Sequence, residues 1–367
     1  GRDGNSNFAS NNSYALYNYL TSGQYNGFTG AILQNMENPN LKWQVKDQYN
    51  IGFDMMYKRI SINANYYYNQ TKNLVSNISI VPSTGFNTVD DNLGEVMNRG
   101  WEISLGYTPW QSKDGFLNIS GAITTNKNEI TKLSESMRAF NELQDKLAAE
   151  YNNTAPVRKY IEGMPLNAIW AVPSQGIDPM TGREVFINRD GKRTYDWSEK
   201  DMVYCGQTDP KYRGTVGFNV EYKGFGLSAY GTYEGGCEYY NYTLVERVED
   251  ANIRVNVDRR VLQGRWTTPG QNALYTTKRP SYQTSTGSAS ASTRLTSRFV
   301  QKRDEFSISS LNFYYNFSES VARKMRLKRL QLKCSMDNVA TFSSIRLERG
   351  TSYPFARTLY FTLLATF

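Results

Sequence analysis

Cys205, Cys237 and Cys334 are the strongest nucleophiles in the sequence, and no imidazole can activate them because the chain contains no His. Ser/His/Asp and Cys/His nucleophilic systems, and any His-containing zinc site, are therefore excluded within the chain. The three thiols are too widely spaced for a CxxC site and too few for a disulfide scaffold. Cys205 and Cys237 fall in long connecting segments, where they either join in one bridge or stay free, and Cys334 reads as an inert filler on an apolar strand face. Asp178-Pro179-Met180-Thr181-Gly182 with Asn188, Asp190 and Gly191 has the composition of a calcium loop, but the oxygen ligand required at position 186 is Phe186. Two turns in a loop hairpin account for it better. Gly191-Lys192-Arg193-Thr194 lacks the first Gly and the Lys-Ser/Thr adjacency of a phosphate loop. No catalytic, cofactor or metal site is expected, and the chain reads as a non-enzyme.

What remains is recognition. Trp170, Tyr195, Trp197 and Tyr204 lie in the segment 126–213, and Tyr239, Tyr240 and Tyr242 in 234–305. Aromatic rings on loops suit stacking on sugar rings or peptide side chains, or else they pack the loops together or meet a capping partner. Trp266, inside Arg265-Trp266-Thr267, reads as structural. Arg254, Arg259, Arg260 and Arg265 would favour acidic cargo, or they pair with Glu246, Glu249, Asp250 and Asp258.

The elements that must carry these residues are strands. Tyr49, Ile51, Phe53, Met55 and Tyr57 alternate with Asn50, Gly52 and Asp54, and after Lys58-Arg59 the alternation resumes with Ile60, Ile62, Ala64, Tyr66 and Tyr68 against Asn63 and Asn65. A period of two on both sides of a two-residue break predicts a hairpin. Three more hairpins follow: Trp101–Tyr107 with Leu117–Ile123, Val216–Tyr222 with Phe225–Tyr233, and Leu311–Phe317 with Leu330–Met336. A last strand carries Leu359, Phe361, Leu363, Ala365 and Phe367 on one face. Leu133, Met137, Phe140, Leu143 and Leu147 recur at helical spacing and predict a short amphipathic helix inside a loop.

Connections sort by parity. Short ones at 58–59, 108–115, 223–224 and 318–328 alternate with long ones at 70–93, 126–213, 234–305 and 340–357. A soluble sandwich has no reason to sort its loops this way, whereas an outer-membrane barrel has short turns at one rim and long loops at the other. The chain has 27 Tyr and 17 Phe at a mean hydropathy of −0.59. That balance suits the headgroup level, where a ring is apolar on one side and wet on the other. No run of about 18 apolar residues exists for a transmembrane helix, but strands cross with about 9 to 11 alternating residues. The N-terminus has no signal-peptide character.

Asn50, Asp54, Asn63, Asn65, Glu102 and Asn118 are too polar for a core and too regular for a chance surface, so they are assigned to a wet lumen. The expected fold is all-β: an antiparallel transmembrane barrel, incomplete because about nine strands, an odd number, do not close alone. The basic run Arg323, Lys324, Arg326, Lys328 and Arg329 sits in a short turn without interleaved aromatics, which argues for a solvated face and against nucleic acid.

Several motifs, in order, carry a family resemblance. Leu41-Lys42-Trp43 precedes a strand with Gln48, Asn50, Ile51 and Gly52; Tyr67-Tyr68, Thr71-Lys72-Asn73-Leu74 and Asn92-Leu93-Gly94-Glu95-Val96 follow. Then come Tyr222-Lys223-Gly224-Phe225, Arg265-Trp266-Thr267-Thr268-Pro269-Gly270, Asn338-Val339-Ala340-Thr341-Phe342, Tyr353-Pro354 and a terminal Phe367. Together they resemble the C-terminal barrel of SusC-like (SusC/RagA) TonB-dependent transporters across almost the whole of 1–367. The resemblance implies a barrel of about 22 strands in the outer membrane. It also implies a plug and TonB-engaging segment outside this chain, a SusD-like surface lipoprotein as partner, and oligosaccharide, glycan or peptide cargo. A passive porin and a soluble carbohydrate-binding or adhesive β protein are the alternatives. The last leaves the loop parity unexplained.

Overall fold

The computed structural model describes residues 2–4, 19–25, 28–80, 82–86, 88–149, 159–251, 257–276, 282–284, 287–289, 293–345 and 357–367. Arg254, Tyr353 and Pro354 lie outside them. Nine long strands build one wall: β1 (Val45–Tyr57), β2 (Ile60–Lys72), β3 (Gly94–Gln111), β4 (Gly115–Thr125), β5 (Tyr212–Tyr222), β6 (Phe225–Tyr240), β7 (Val300–Asn316), β8 (Arg329–Ser343) and β9 (Thr358–Thr366). Each pairs antiparallel with the next in chain order. Arg2–Gly4 adds to the other side of β1. Lys127–Leu133 continues past β4 and pairs with the outer end of β3. The wall is an open arc of a barrel; β1 and β9 do not pair.

Pairing register sorts the side chains. Ile51 lies opposite Tyr66, Tyr66 opposite Trp101 and Ile103 opposite Ile123, so the apolar set shares one face across four strands. Among the described residues no other part of the chain covers that face, and on it Ile51 is 76%, Phe53 58% and Phe361 77% exposed. Apolar side chains left this open on a contiguous face belong against lipid. The opposite face carries Asp54 across from Asn63, Asn65 across from Glu102, and Asn118 across from Asn219. Asn63 donates to the Asp54 carboxylate, Asn65 to Asn63 Oδ1 at 2.9 Å, and Thr108 to Asn118 Oδ1 at 2.8 Å. This is the polar lumen wall expected from the sequence.

Aromatic rings frame the lipid-facing side in two rows. Near the short turns, Trp110 and Tyr222 lie 6.0 Å apart, and Phe225 and Tyr315 4.4 Å. Near the long loops, Tyr49 meets Tyr68 at 6.2 Å, Tyr66 meets Trp101 at 5.0 Å, and Phe306 meets Phe342 at 6.4 Å. Two aromatic rows flanking an aliphatic band are the two interfaces of a bilayer.

Strands run further outward than alternation alone indicates. The sequence places 234–240, 300–305 and 340–343 in loops, yet all three belong to β6, β7 and β8. A bulge at Gly235-Gly236, with Gly236 at φ 71°, shifts the register between Glu234 and Cys237 and interrupts the period of two. A second bulge between Tyr107 and Trp110 carries β3 on to Gln111. Gly214 has a direct reason to be Gly: the Tyr233 ring lies across it and donates its hydroxyl to the Ala122 carbonyl at 3.1 Å, filling the place of a Cβ.

Beyond the outer ends, segments 159–207, 241–251, 257–276 and 293–299 form a compact cap around Trp170, Phe186, Val248, Leu295 and Phe299. The predicted helix is present as α1 (Glu135–Ala149), which buries Met137 and Phe140 against Leu93. The Leu147 side chain lies outside the described residues. A second, short helix α2 (Glu319–Lys324) occupies the fourth turn.

Candidate functional site

The lumen wall just beneath the cap holds a groove of about 410 Å³. Thr124 from β4, Arg213 and Thr215 from β5, Thr232 and Glu234 from β6 and Glu305 from β7 line it. Odd residues of β5 and even residues of β6 face inward in this register, because Thr215 pairs with Thr232 and Arg213 with Glu234. Arg303 of β7 donates to Glu234 Oε1 at 2.6 Å and lies 3.7 Å from Glu305. Cations and carboxylates thus alternate along a threonine-lined trough, where charge-assisted hydrogen bonds to a polar guest are available. Except for Thr124, this set escapes period-two reading because Gly214, Gly231 and Gly235 interrupt the outward-facing rows beside it. The inward alternation Arg213, Thr215, Gly217, Asn219 is the signal that could have found it.

A buried ion triad holds the cap above the groove. Arg298 donates to Glu249 Oε1 at 3.0 Å and to Glu184 Oε2 at 3.1 Å, and the Glu249 side chain is fully buried. Burial opposes the guanidinium charge, but the two carboxylates more than offset it and hold Arg298 above its ordinary pKa. Thr276 Oγ1 donates to Glu249 Oε1 at 2.7 Å. Arg298 Nε and Glu184 Oε1 are buried without a protein partner. Of the arginines weighed from sequence, Arg260 pairs with Asp258 at 3.0 Å. Arg265 donates to the carbonyls of Val248, Val261 and Thr276.

The predicted contact residues divide by position. Trp170 and Tyr240 are buried in the cap; Trp170 Nε1 donates to the Lys159 carbonyl at 2.8 Å. Tyr240 and Tyr242 meet edge to face at 5.0 Å. Burial raises both phenols, that of Tyr242 to about 12. Trp197 is half-buried, donates to the Leu295 carbonyl at 2.9 Å and lies under the Arg294 guanidinium at 4.9 Å. Tyr239 is half-buried at the outer end of β6. Tyr195 stands at the surface, donates to Asp178 at 2.5 Å and carries Arg183 over its ring at 4.6 Å. Tyr204 lines a separate cleft of about 680 Å³ with Tyr66 and Trp101, whose rings belong to the lipid-facing side. The seven rings therefore do not converge on one platform.

Cys205 and Cys237 are unbridged. Cys205 Sγ donates to the carbonyls of Ala171 and Val203, and Cys237 Sγ to that of Arg303, so the two sulfurs are committed to different strands. The Asp178 carboxylate accepts from Met180 N at 2.9 Å and Thr181 Oγ1 at 2.7 Å, closing the turn expected from its composition. Trp266 seats its indole against Gly182 and donates to the Pro179 carbonyl at 2.7 Å.

Residues 5–339 match the family described as TonB dependent receptor-like, beta-barrel. TonB-dependent receptor P3 of Formosa agariphila is 24% identical over 86% of this chain and 31% of its own length. TonB-dependent receptor SusC of Bacteroides thetaiotaomicron is 28% identical over 59% of this chain and 21% of its own. The structure of the RagAB peptide transporter superposes with a TM-score of 0.71 at 20% identity, over 94% of this chain and 36% of that one. The chain thus spans about a third or less of the length of the relatives it matches. They are receptors and transporters rather than enzymes. With its lipid-facing band, polar lumen and sorted loops, the chain belongs to the TonB-dependent receptor β-barrel family of the outer membrane, and SusC is among the members it is similar to.

Proposed function

We propose that this chain is the C-terminal barrel portion of an importer that takes up a bulky nutrient, an oligosaccharide, glycan or peptide, across the outer membrane. The observation that carries the reading is the groove of Arg213, Glu234 and Glu305, the two carboxylates paired with Arg303, on the lumen wall beneath a packed cap. A passage for apolar solutes would have no use for such a surface, whereas hydroxyls, amides and peptide charges find donors and acceptors there. The fold likeness to the RagAB peptide importer supports import as the activity. The plug and the TonB-engaging segment belong to the remainder of the protein, and a SusD-like lipoprotein covers the cap. Tyr195, Trp197, Tyr204 and Tyr239, with Trp170, Tyr240 and Tyr242 behind them, contribute to the surface that meets the lipoprotein or the cargo. Movement of the plug is driven from the periplasm, so the work is conformational and its energy comes from outside this chain.

The test is purification of the complete protein from outer membranes through a C-terminal tag, with mass spectrometry of everything retained. A co-purifying surface lipoprotein, together with loss of growth on one glycan or peptide source when the gene is deleted, is the expected result. A protein that conducts small solutes without TonB would be a porin and would overturn the reading.

A further inference from the structure

We propose that the short-turn rim of the wall is a docking surface for anionic phospholipid headgroups of the leaflet it faces. The rim carries Lys58, Lys113, Lys223, Lys324, Arg326 and Lys328, all exposed. None of the six has a carboxylate within ion-pair distance among the described residues. Carboxylates on these turns are few: Glu319 is taken by Arg323 at 2.9 Å, and Asp114 stands beside Lys113. Arg59 and Arg329 are turned to Pro109 O and Asn316 Oδ1. The cap at the other rim, by contrast, ties Arg260 and Arg298 to carboxylates.

Two of the turns share one construction. Lys58 and Lys223 each follow a tyrosine of the lower aromatic row, each adopts a left-handed backbone (φ 52° and 50°), and each holds its ammonium over that tyrosine's ring, at 5.2 Å for Tyr57 and 5.3 Å for Tyr222. A non-glycine residue in that conformation is disfavoured by the clash of its Cβ with the backbone. The result is a cation fixed to a ring that itself rests at the lipid interface. The fourth turn repeats the theme by other means, since α2 exposes Val321 and Met325 beside Arg323, Lys324 and Arg326. Exposed apolar side chains next to the unpaired cations Lys324 and Arg326 suit the boundary between acyl chains and phosphates. They distinguish a lipid surface from an acidic protein, which would need the cations turned away from the membrane.

The test uses the complete transporter in detergent and native mass spectrometry, titrated with phosphatidylglycerol or phosphatidylcholine of identical acyl chains. The wild type is expected to retain phosphatidylglycerol preferentially. K58Q/K223Q should lower that preference by about fivefold per cation, and K324Q/R326Q/K328Q should do the same. K192Q/R193Q in the cap should leave it unchanged. Heat-modifiable gel mobility separates loss of binding from loss of folding, and a variant that fails it is replaced by K58R/K223R, which keeps the charge and should keep the lipid. Equal retention of both lipids, equal effects of cap and rim variants, or capture of an acidic periplasmic protein in place of lipid would overturn the proposal.

Discussion

Arg298 and Glu249 are joined at 3.0 Å inside the cap, 49 positions apart in the sequence, with the Glu249 side chain fully buried. Leaving a buried charge without its partner costs about 3–5 kcal/mol. Arg298→Ala is therefore expected to loosen the cap without unfolding the strands, because Glu249 and Glu184 lose their counter-ion together. Hydrogen exchange should rise sharply over Tyr242–Glu249 while β5–β7 keep their protection. Unchanged exchange in the cap would show that the triad does not hold it.

Gly214→Ala is expected to impair assembly. A Cβ there would meet the Ala122 carbonyl and the Tyr233 ring, and both belong to neighbouring strands that cannot withdraw. Overpacking of this kind costs about 1–3 kcal/mol. The amount of heat-modifiable protein in the outer membrane should fall, and Tyr233→Leu combined with Gly214→Ala should recover only part of it, since the carbonyl remains.

Asp178 gives the cap an acid-sensitive corner. The hydrogen bond from Tyr195, then those from Thr181 and the Met180 backbone, hold its carboxyl below the ordinary value of 3.8. A depressed folded-state pKa stabilises the turn fully above 3.8 and loses that stabilisation as pH falls through the folded value. Amide exchange of Met180–Arg183 should accelerate in that acidic window. Tyr195→Phe removes the largest cause and should move the transition up towards 3.8.

All three thiols should titrate as free sulfhydryls in unfolded protein, with identical gel mobility in the presence and absence of reductant. In the folded protein Cys205 should alkylate slowly, because burial pushes its thiol up. A mass two daltons short per molecule would reveal a bridge.

If the lumen groove meets cargo, Arg213→Gln should weaken binding by roughly tenfold, the worth of one charge-assisted hydrogen bond. Trp170→Phe should leave cargo affinity near wild type while lowering cap stability by about 1 kcal/mol through the lost bond to Lys159 O. Calorimetry of cargo binding separates the two. The reverse outcome would move the cargo site from the wall into the cap.

Strands were legible wherever side chains alternate without interruption, as in Tyr49–Tyr57 and Ile60–Tyr68, because a lipid face and a wet face impose opposite demands on successive residues. They became illegible where Gly214 or Gly235-Gly236 replaces a side chain with a space filled from a neighbouring strand. Arg213 and Glu234 lie at those places. The cap was legible only as a collection of aromatics, since its organisation depends on partners such as Glu184 and Arg298, 114 residues apart. No local pattern encodes such a pair. The α1 helix could be read because Met137 and Phe140 obey a local period.

The two aromatic rows also act as a gauge. Tyr49 and Tyr57 mark them on one strand, and the eight residue steps between span about 27 Å along β1, or about 21 Å along the normal at a tilt near 40°. An average bilayer has about 30 Å of hydrocarbon, and the bacterial outer membrane less. The wall therefore matches a thin membrane, and in a thicker one it would draw the surrounding acyl chains into a depressed collar.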